Sequence, residues 1–310
     1  MSAAAAAQPG ILAAGPAAGH FLTVRMTSPQ QGKPLLRALA AVAVDDRVVV
    51  GVGFHFVTAI GASLPGFRPF PAMTLPESAG GAAVPTTQAD VWVYVRGDAP
   101  GEVFARVHAL FRTFPGGLVL VDDVATFCFQ GGRDLSGYED GTENPKGEAA
   151  NEAALVPAGP LAGASFVAVQ RWEHDLGAFA AMPRNEQDAA IGRARDTNAE
   201  LADAPPSAHV KRSAQESFEP AAFMLRRSMP YGNVGSHGLY FVAFGADLDR
   251  FERVMRRMAG LDDGVVDALF RFSRPLTGGY YWCPAVHEGK LDLRPILPAG
   301  VDALPDIEVG

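Results

Sequence analysis

Only two cysteines occur in the 310 residues, Cys128 and Cys283, which excludes a disulfide framework and any cysteine-rich zinc or iron–sulfur centre. They read as two small buried hydrophobes. No apolar run approaches the roughly 20 residues that cross a bilayer. Positive charge is short as well: 26 Lys and Arg stand against 34 Asp and Glu, a formal net charge of −8. That argues against nucleic acid or an anionic membrane as partner, because phosphates are held by basic patches. The seven histidines form no HExxH pattern and no close cluster with carboxylates, so a zinc site is not expected. The Lys-Ser/Thr of a phosphate-binding loop is missing too. Residues 1–19, rich in Ala, Gly and Pro, carry no basic side chain and no twin-arginine pair. They read as a disordered leader on a cytoplasmic protein rather than an export signal.

What is present is core material. Hydrophobic residues make up 48% and charged residues 19%, ample for a sizeable core, and the length suits about two domains. The first half opens with strand-like alternation over residues 20–26, then helix formers over 34–44 behind Pro34, then a β-branched strand over 48–56. A Gly-, Pro- and Ser-rich connection over 58–88 follows, of the kind that often carries function. Strand 91–95 then leads to an amphipathic helix, 101–114, with Val103, Phe104, Val107, Leu110 and Phe111 at helical spacing, and to a strand over 118–129.

The second half repeats this grammar. Strand 165–172 runs into helix 174–182, and strand 239–244, Gly245 and helix 249–258 precede strand 279–283. Phe251 and Val254 stand for Phe104 and Val107. Each half reads β-α-β-β-α-β, which predicts an α+β fold of two ferredoxin-like domains with antiparallel sheets. The expected divisions are the leader over 1–19, an N-terminal domain over 20–145, a C-terminal domain over 146–300 and a tail over 301–310. The divider is the polar, Gly- and Pro-bearing run 131–159.

That run holds the sharpest motif. Residues 131–145, GGRDLSGYEDGTENP, form a turn-rich loop in which Asp140-Gly141 is a turn dipeptide and Asn144 is held extended by Pro145. It gathers Asp134, Glu139, Asp140 and Glu143 beside glycines that let backbone approach a ligand, although composition alone favours a solvated loop. His209 follows Pro205 and Pro206. One imidazole without companion ligands suits the proximal side of a haem iron; an exposed loop histidine is the ordinary alternative. Arg226 and Arg227 precede the corner Pro230-Tyr231-Gly232, and strand alternation sends one arginine each way, into a pocket or into surface ion pairs. Asp262-Asp263-Gly264 reads as a helix-ending turn.

Taken in order, GYEDGTENP (137–145), Ser207-Ala208-His209, Arg226 with PYG (230–232), GLYF (238–241) and FSRPLTGGYY (272–281) resemble the signatures of the dye-decolorizing peroxidases, in their short cytoplasmic, B-type branch. The resemblance spans roughly residues 20–285. It implies two ferredoxin-like domains with haem b lodged mainly against the second, and an enzyme that uses hydrogen peroxide to oxidise phenols, dyes and other small one-electron donors. It implies His209 as the proximal ligand of the haem iron. Asp140 and Arg226 would occupy the distal face where peroxide binds, with Ser228 at a distal polar position. Gly141, Thr142, Glu143, Asn144 and Arg212 would touch the haem edge and propionates.

The residue types suit that chemistry. A carboxylate at Asp140 can shuttle the proton of peroxide, and Arg226, permanently charged, can stabilise charge on the departing oxygen. Arg226 is expected to matter more, since water can move a proton but cannot replace a fixed cation. Asp267, a carboxylate among apolar positions of a helix-like stretch, is the candidate partner for the other nitrogen of the proximal imidazole. Trp172, Trp282, Tyr281 and Tyr138 are available to carry electrons, with none singled out. A homo-oligomer is expected from family habit. Residues 291–310 show no clear form of the apolar extension that directs some relatives into encapsulin nanocompartments. The alternative expectations are a haem carrier or haem iron-release protein, and a haem-free ferredoxin-like ligand-binding or assembly protein.

Overall fold

Valine and aromatic residues at alternating positions build the strands, because branched and flat side chains pack well on a pleated surface. In the computed structural model, which describes residues 2–77 and 81–297, the first half contributes β1 (Ala18–Met26), β2 (Val48–Gly53), β3 (Val91–Gly97) and β4 (Leu118–Phe127). The second half contributes β5 (Ser165–His174), β6 (Leu225–Arg226), β7 (Met229–Gly232), β8 (His237–Gly245), β9 (Ser273–Pro275) and β10 (Gly279–Cys283). Within the first half the strands lie in the order β4-β1-β3-β2, and β10-β5-β8 followed by β7 and β6 repeats it. The order is fourth, first, third, second in both, and all pairings are antiparallel.

The two sheets do not stay separate. The fourth strand of each half pairs with the second of the other: Thr126 on β4 faces Tyr231 on β7, and Tyr281 and Trp282 on β10 face Gly53 and Val52 on β2. The result is a closed antiparallel barrel. Its interior holds Phe21, Trp92, Tyr94, Tyr240, Phe244 and Tyr281, all buried. On its outside, α1 (Gly32–Ala41) and α2 (Pro100–Phe111) cover the first half with Leu35, Leu36, Leu39, Val103 and Val107. The second half is covered by α4 (Asp249–Met258) and by the segment that holds the single-turn helix α3 (His209–Arg212).

Of the two cysteines expected to be buried, Cys283 is and Cys128 is exposed, and three further expectations change. Residues 1–19 are not a disordered leader over the part described. Ala3–Ala6 and Pro9–Leu12 are single-turn helices, Ile11 is buried in the inner cluster, and the Gln8 amide is clamped. Gln8 Nε2 donates to the carbonyls of Val50 (2.8 Å) and Pro284 (3.0 Å), and its Oε1 accepts from Val50 N–H at 2.8 Å. Alanines fold here because an apolar residue and an amide three positions apart reach the barrel. Second, Phe104 is 62% exposed: the buried stripe of α2 is Val103 and Val107, an i,i+4 pair matching Phe251 and Met255 on α4. Third, the strand expected to 56 stops at Gly53, and Phe54–Ala59 turns into a helix. The tail expected over 301–310 lies outside the described residues. Among those described, no helix is long and apolar enough to cross a membrane, and no group of three metal-ligating side chains occurs.

Candidate functional site

Side chains two apart on a strand share a face, and on β5 this turns Gln170, Trp172 and His174 outward from the barrel. With Leu239 and Phe241 of β8 they floor a cavity roofed by Phe251, Val254, Met255 and Met258 of α4. Besides Gln170 and His174, the polar groups on this largely apolar wall come from two loops, 134–140 and 209–215, and from Arg226 at the end of β6.

His209 opens α3, behind the two prolines that end the preceding segment. Its Nδ1 is 2.8 Å from Asp267 Oδ2, and Asp267 is almost wholly buried. The other Asp267 oxygen accepts from Leu269 N–H at 2.8 Å, capping the turn Ala268–Arg271. Asp267 is therefore a cap residue rather than one in mid-helix. Ala268 N–H in turn donates to Ser207 C=O at 2.8 Å, so carboxylate and imidazole are fixed on two strapped loops. With Nδ1 engaged, Nε2 has no hydrogen-bond partner among the described residues and His209 lines the cavity. Burial works against a charged ring, but the Asp267 carboxylate outweighs it and holds the imidazole pKa above the ordinary value.

Asp140 and Arg226 line the same cavity. By surface area Asp140 is exposed and His209 half-buried, and the surface of each includes cavity wall. Burial raises the Asp140 pKa above the usual carboxylate range; the Arg226 charge opposes this and the Asp134 charge adds to it. Gly141 follows at φ +76°, a conformation glycine adopts without strain. Arg226 carries a buried Nε with no partner among the described residues. Its backbone is held by Asn144, whose Oδ1 accepts from Arg226 N–H and whose Nδ2 donates to Arg226 C=O, both at 2.8 Å. Arg227 points the other way, to the Leu12 carbonyl at 3.0 Å, as strand alternation requires.

The remaining predicted residues do not join the cavity. Gly141, Asn144 and Ser228 line a neighbouring cavity that shares Asp140 and Arg226 with it, and Ser228 Oγ accepts from Val242 N–H at 3.2 Å. Thr142 Oγ1 accepts from Asn198 Nδ2 at 2.9 Å, and Glu143 pairs with Arg193 at 2.7 Å. Arg212 is not among the residues lining the cavity; its guanidinium donates to both oxygens of Asp263 at 2.7 Å and to the Arg257 carbonyl at 2.6 Å. The residues missed are Asp134, Gln170 and His174. Asp134 was visible only as one acid in a loop, and His174 only as the end of a strand, with no pattern joining them.

The chain is similar to several known proteins. The family model described as "Dyp-type peroxidase, C-terminal" matches residues 131–288. The dye-decolorizing peroxidase of Mycolicibacterium paratuberculosis is 32% identical over 235 residues, 73% of this chain and 66% of that protein. That of Mycobacterium tuberculosis is 30% identical over 251 residues, 78% and 72% respectively. Among solved structures, a dye-decolorizing protein from V. cholerae superposes with a TM-score of 0.79 at 30% identity, covering 90% of this chain and 97% of its own. A DypB variant from Rhodococcus jostii in complex with heme gives 0.81 at 26% identity, covering 88% and 94%. A match through the second half, and relatives aligned over most of both chains, make this protein a member of the Dyp-type peroxidase family.

Proposed function

We infer that the protein is a haem b peroxidase of the B-type branch, built as two ferredoxin-like halves that divide near residue 145, and that it uses hydrogen peroxide to oxidise phenols, dyes and similar one-electron donors. The observation that carries this is the His209 ring, with Nδ1 tied to a buried carboxylate and Nε2 left facing an apolar cavity that Asp140 and Arg226 also line. The cavity fits the group. Its walls are mostly apolar, as a porphyrin face requires, and His209 Nε2, without a partner among the described residues, is the donor type that would hold haem iron. Arg226 Nε and Gln170 Nε2, both buried on the wall without partners among the described residues, are donors that the protein alone leaves unsatisfied.

Haem, when bound, supplies the iron at which peroxide is reduced and the oxidising power that donors then remove one electron at a time. Asp267 holds the Nδ1 proton, fixing the ring so that the Nε2 lone pair points into the cavity and is made more basic. Asp140 accepts a proton from peroxide on a carboxylate oxygen and returns it to the oxygen that leaves as water. Arg226 supplies a cation where that oxygen gathers charge. Asn144 keeps Arg226 at that position through its backbone. Ser228 belongs to the same region in this reading, behind the Asp140–Arg226 pair. A homo-oligomer is part of the reading too, supported by Val119, Leu120 and Val121, exposed one after another on β4.

Titrating the apoprotein with haem and recording the Soret band tests the assignment. The wild type binds and gains peroxide-dependent oxidation of a phenolic donor, while His209→Ala loses both. Arg226→Ala slows the reaction with peroxide by on the order of 10²–10³, more than Asp140→Ala does. Haem handed to an apo-acceptor without any turnover would make the protein a carrier; no Soret band at all would make it haem-free.

A further inference from the structure

His174 closes β5 and Ser273 opens β9, directly opposite each other in the register of the two strands, so their side chains stand together on one face. Ser273 Oγ is 2.7 Å from His174 Nδ1, and His174 Nε2 is 3.0 Å from Asp134 Oδ1. The other Asp134 oxygen accepts from Ser136 N–H at 2.8 Å, which fixes the carboxylate. His174 and Ser273 are 5% and 3% exposed.

The chain of three has two different ends. Asp134 and His174 line the site cavity. His174 and Ser273 line a separate polar basin, open to the outside, bordered by Glu173, Ser236 and His237. A buried imidazole engaged at both nitrogens, with a carboxylate toward the site cavity and a hydroxyl toward the outer basin, can take up a proton on one nitrogen as it releases one from the other. The function inferred above assigns none of these three residues a part.

We propose that Asp134, His174 and Ser273 form a proton relay between the outer basin and the Asp140 side of the cavity. The relay rests on the peroxidase reading, because reducing one hydrogen peroxide to two waters takes up two protons with the two electrons that donors provide. In one passage Ser273 gives its hydroxyl proton to His174 Nδ1 and takes one from basin water. His174 gives its Nε2 proton to Asp134 Oδ1, and Asp134 releases it to water or to the Asp140 carboxylate. One proton enters and one leaves, only O–H and N–H bonds change, and no electron moves. A turn of the ring between passages restores the starting tautomer. The fixed charge of Asp134 also explains part of the raised Asp140 pKa, which favours a carboxyl that takes up the delivered proton.

The test uses haem-loaded wild type, His174→Gln, Ser273→Ala and Ser273→Thr, with hydrogen peroxide and a phenolic donor. His174→Gln keeps a donor and an acceptor but cannot relay; Ser273→Ala breaks only the outer step and stands in if the glutamine variant does not fold. Both are expected to turn over at least tenfold more slowly, with a larger solvent deuterium isotope effect, and to be rescued by added imidazole buffer, while Ser273→Thr keeps the wild-type rate. In the apoprotein, the ¹⁵N resonance of His174 Nδ1 is expected to move in Ser273→Ala, and that of Nε2 in Asp134→Asn. Rates within twofold of wild type, a loss that imidazole does not rescue, or ring nitrogens that respond to neither change would overturn the relay. A haem-loaded wild type without peroxide turnover would instead overturn the peroxidase reading beneath it.

Discussion

Asp140 is a carboxyl whose burial works against its charge more strongly than Arg226 works for it. In the unfolded chain the same group has an ordinary pKa, so the folded apoprotein binds its proton more tightly than the unfolded chain does. Stability from this group is then greatest at acidic pH and is lost as pH rises from about 3.8 through the raised folded value. Asp140→Asn removes a group that must ionise in place. The variant apoprotein is expected to melt above wild type at pH 7, with the gain shrinking toward zero on acidification below pH 4; thermal melts across that range check it, and a gain that grows on acidification would reverse the sign. Asp140 and His209 stand out in the sequence through the resemblance to the dye-decolorizing peroxidases, because a turn dipeptide and a lone imidazole by themselves read as a solvated loop and an exposed histidine. The partner of Arg212 does not stand out, because no local pattern says which carboxylate a guanidinium will meet, and Asp263, 51 positions away, takes it.

At the scale of elements, the cavity exists because β5 alternates and because a loop is fastened to a strand. The fastening is Asn144. Its amide mimics a strand neighbour for Arg226, giving and accepting one hydrogen bond each at 2.8 Å, across 82 positions of sequence. Asn144→Ala leaves a backbone donor and acceptor without partners, which costs about 1–3 kcal/mol each where they are kept from water. The larger effect falls on function, since Arg226 is aimed by the backbone that Asn144 holds. Asn144→Ala is therefore expected to keep the haem spectrum while losing most of the rate of reaction with peroxide, read by stopped-flow; a rate equal to wild type would leave Asn144 with stability alone. In the sequence Asn144 stands out as the residue before a proline and, through the resemblance, as a haem-edge contact, and neither shows its hold on Arg226. The strand–glycine–helix repeat is legible, because periodicity is local. The one-residue shift that exposes Phe104 and buries Val103 is not, because both positions are apolar and only packing chooses between them.

At the scale of the molecule, alternation and glycines show each half as β-α-β-β-α-β, but nothing local shows that the edge strands of one half close on those of the other. That closure decides how the protein unfolds. Phe21 of the first half stacks on Tyr240 of the second at 4.0 Å between centroids, and Trp92 Nε1 donates to Tyr240 OH at 3.2 Å. The interior is thus a single core built by both halves. Removing the ring in Tyr240→Ala opens a cavity at the seam, with a loss of about 3–5 kcal/mol by analogy with other aromatic truncations. If each half were an independent domain, this loss would fall on the second and leave a first transition unmoved. With a shared core, calorimetry is expected to show one transition, shifted down as a whole, and amide exchange is expected to accelerate in β1 and β3 as much as in β8. Two separable transitions would refute a common core. The cavity-lining side chains of β8, Leu239 and Phe241, stand on the opposite face of the strand from Tyr240, so Tyr240→Phe, which keeps the ring and loses only the hydroxyl, should leave haem binding at its wild-type value.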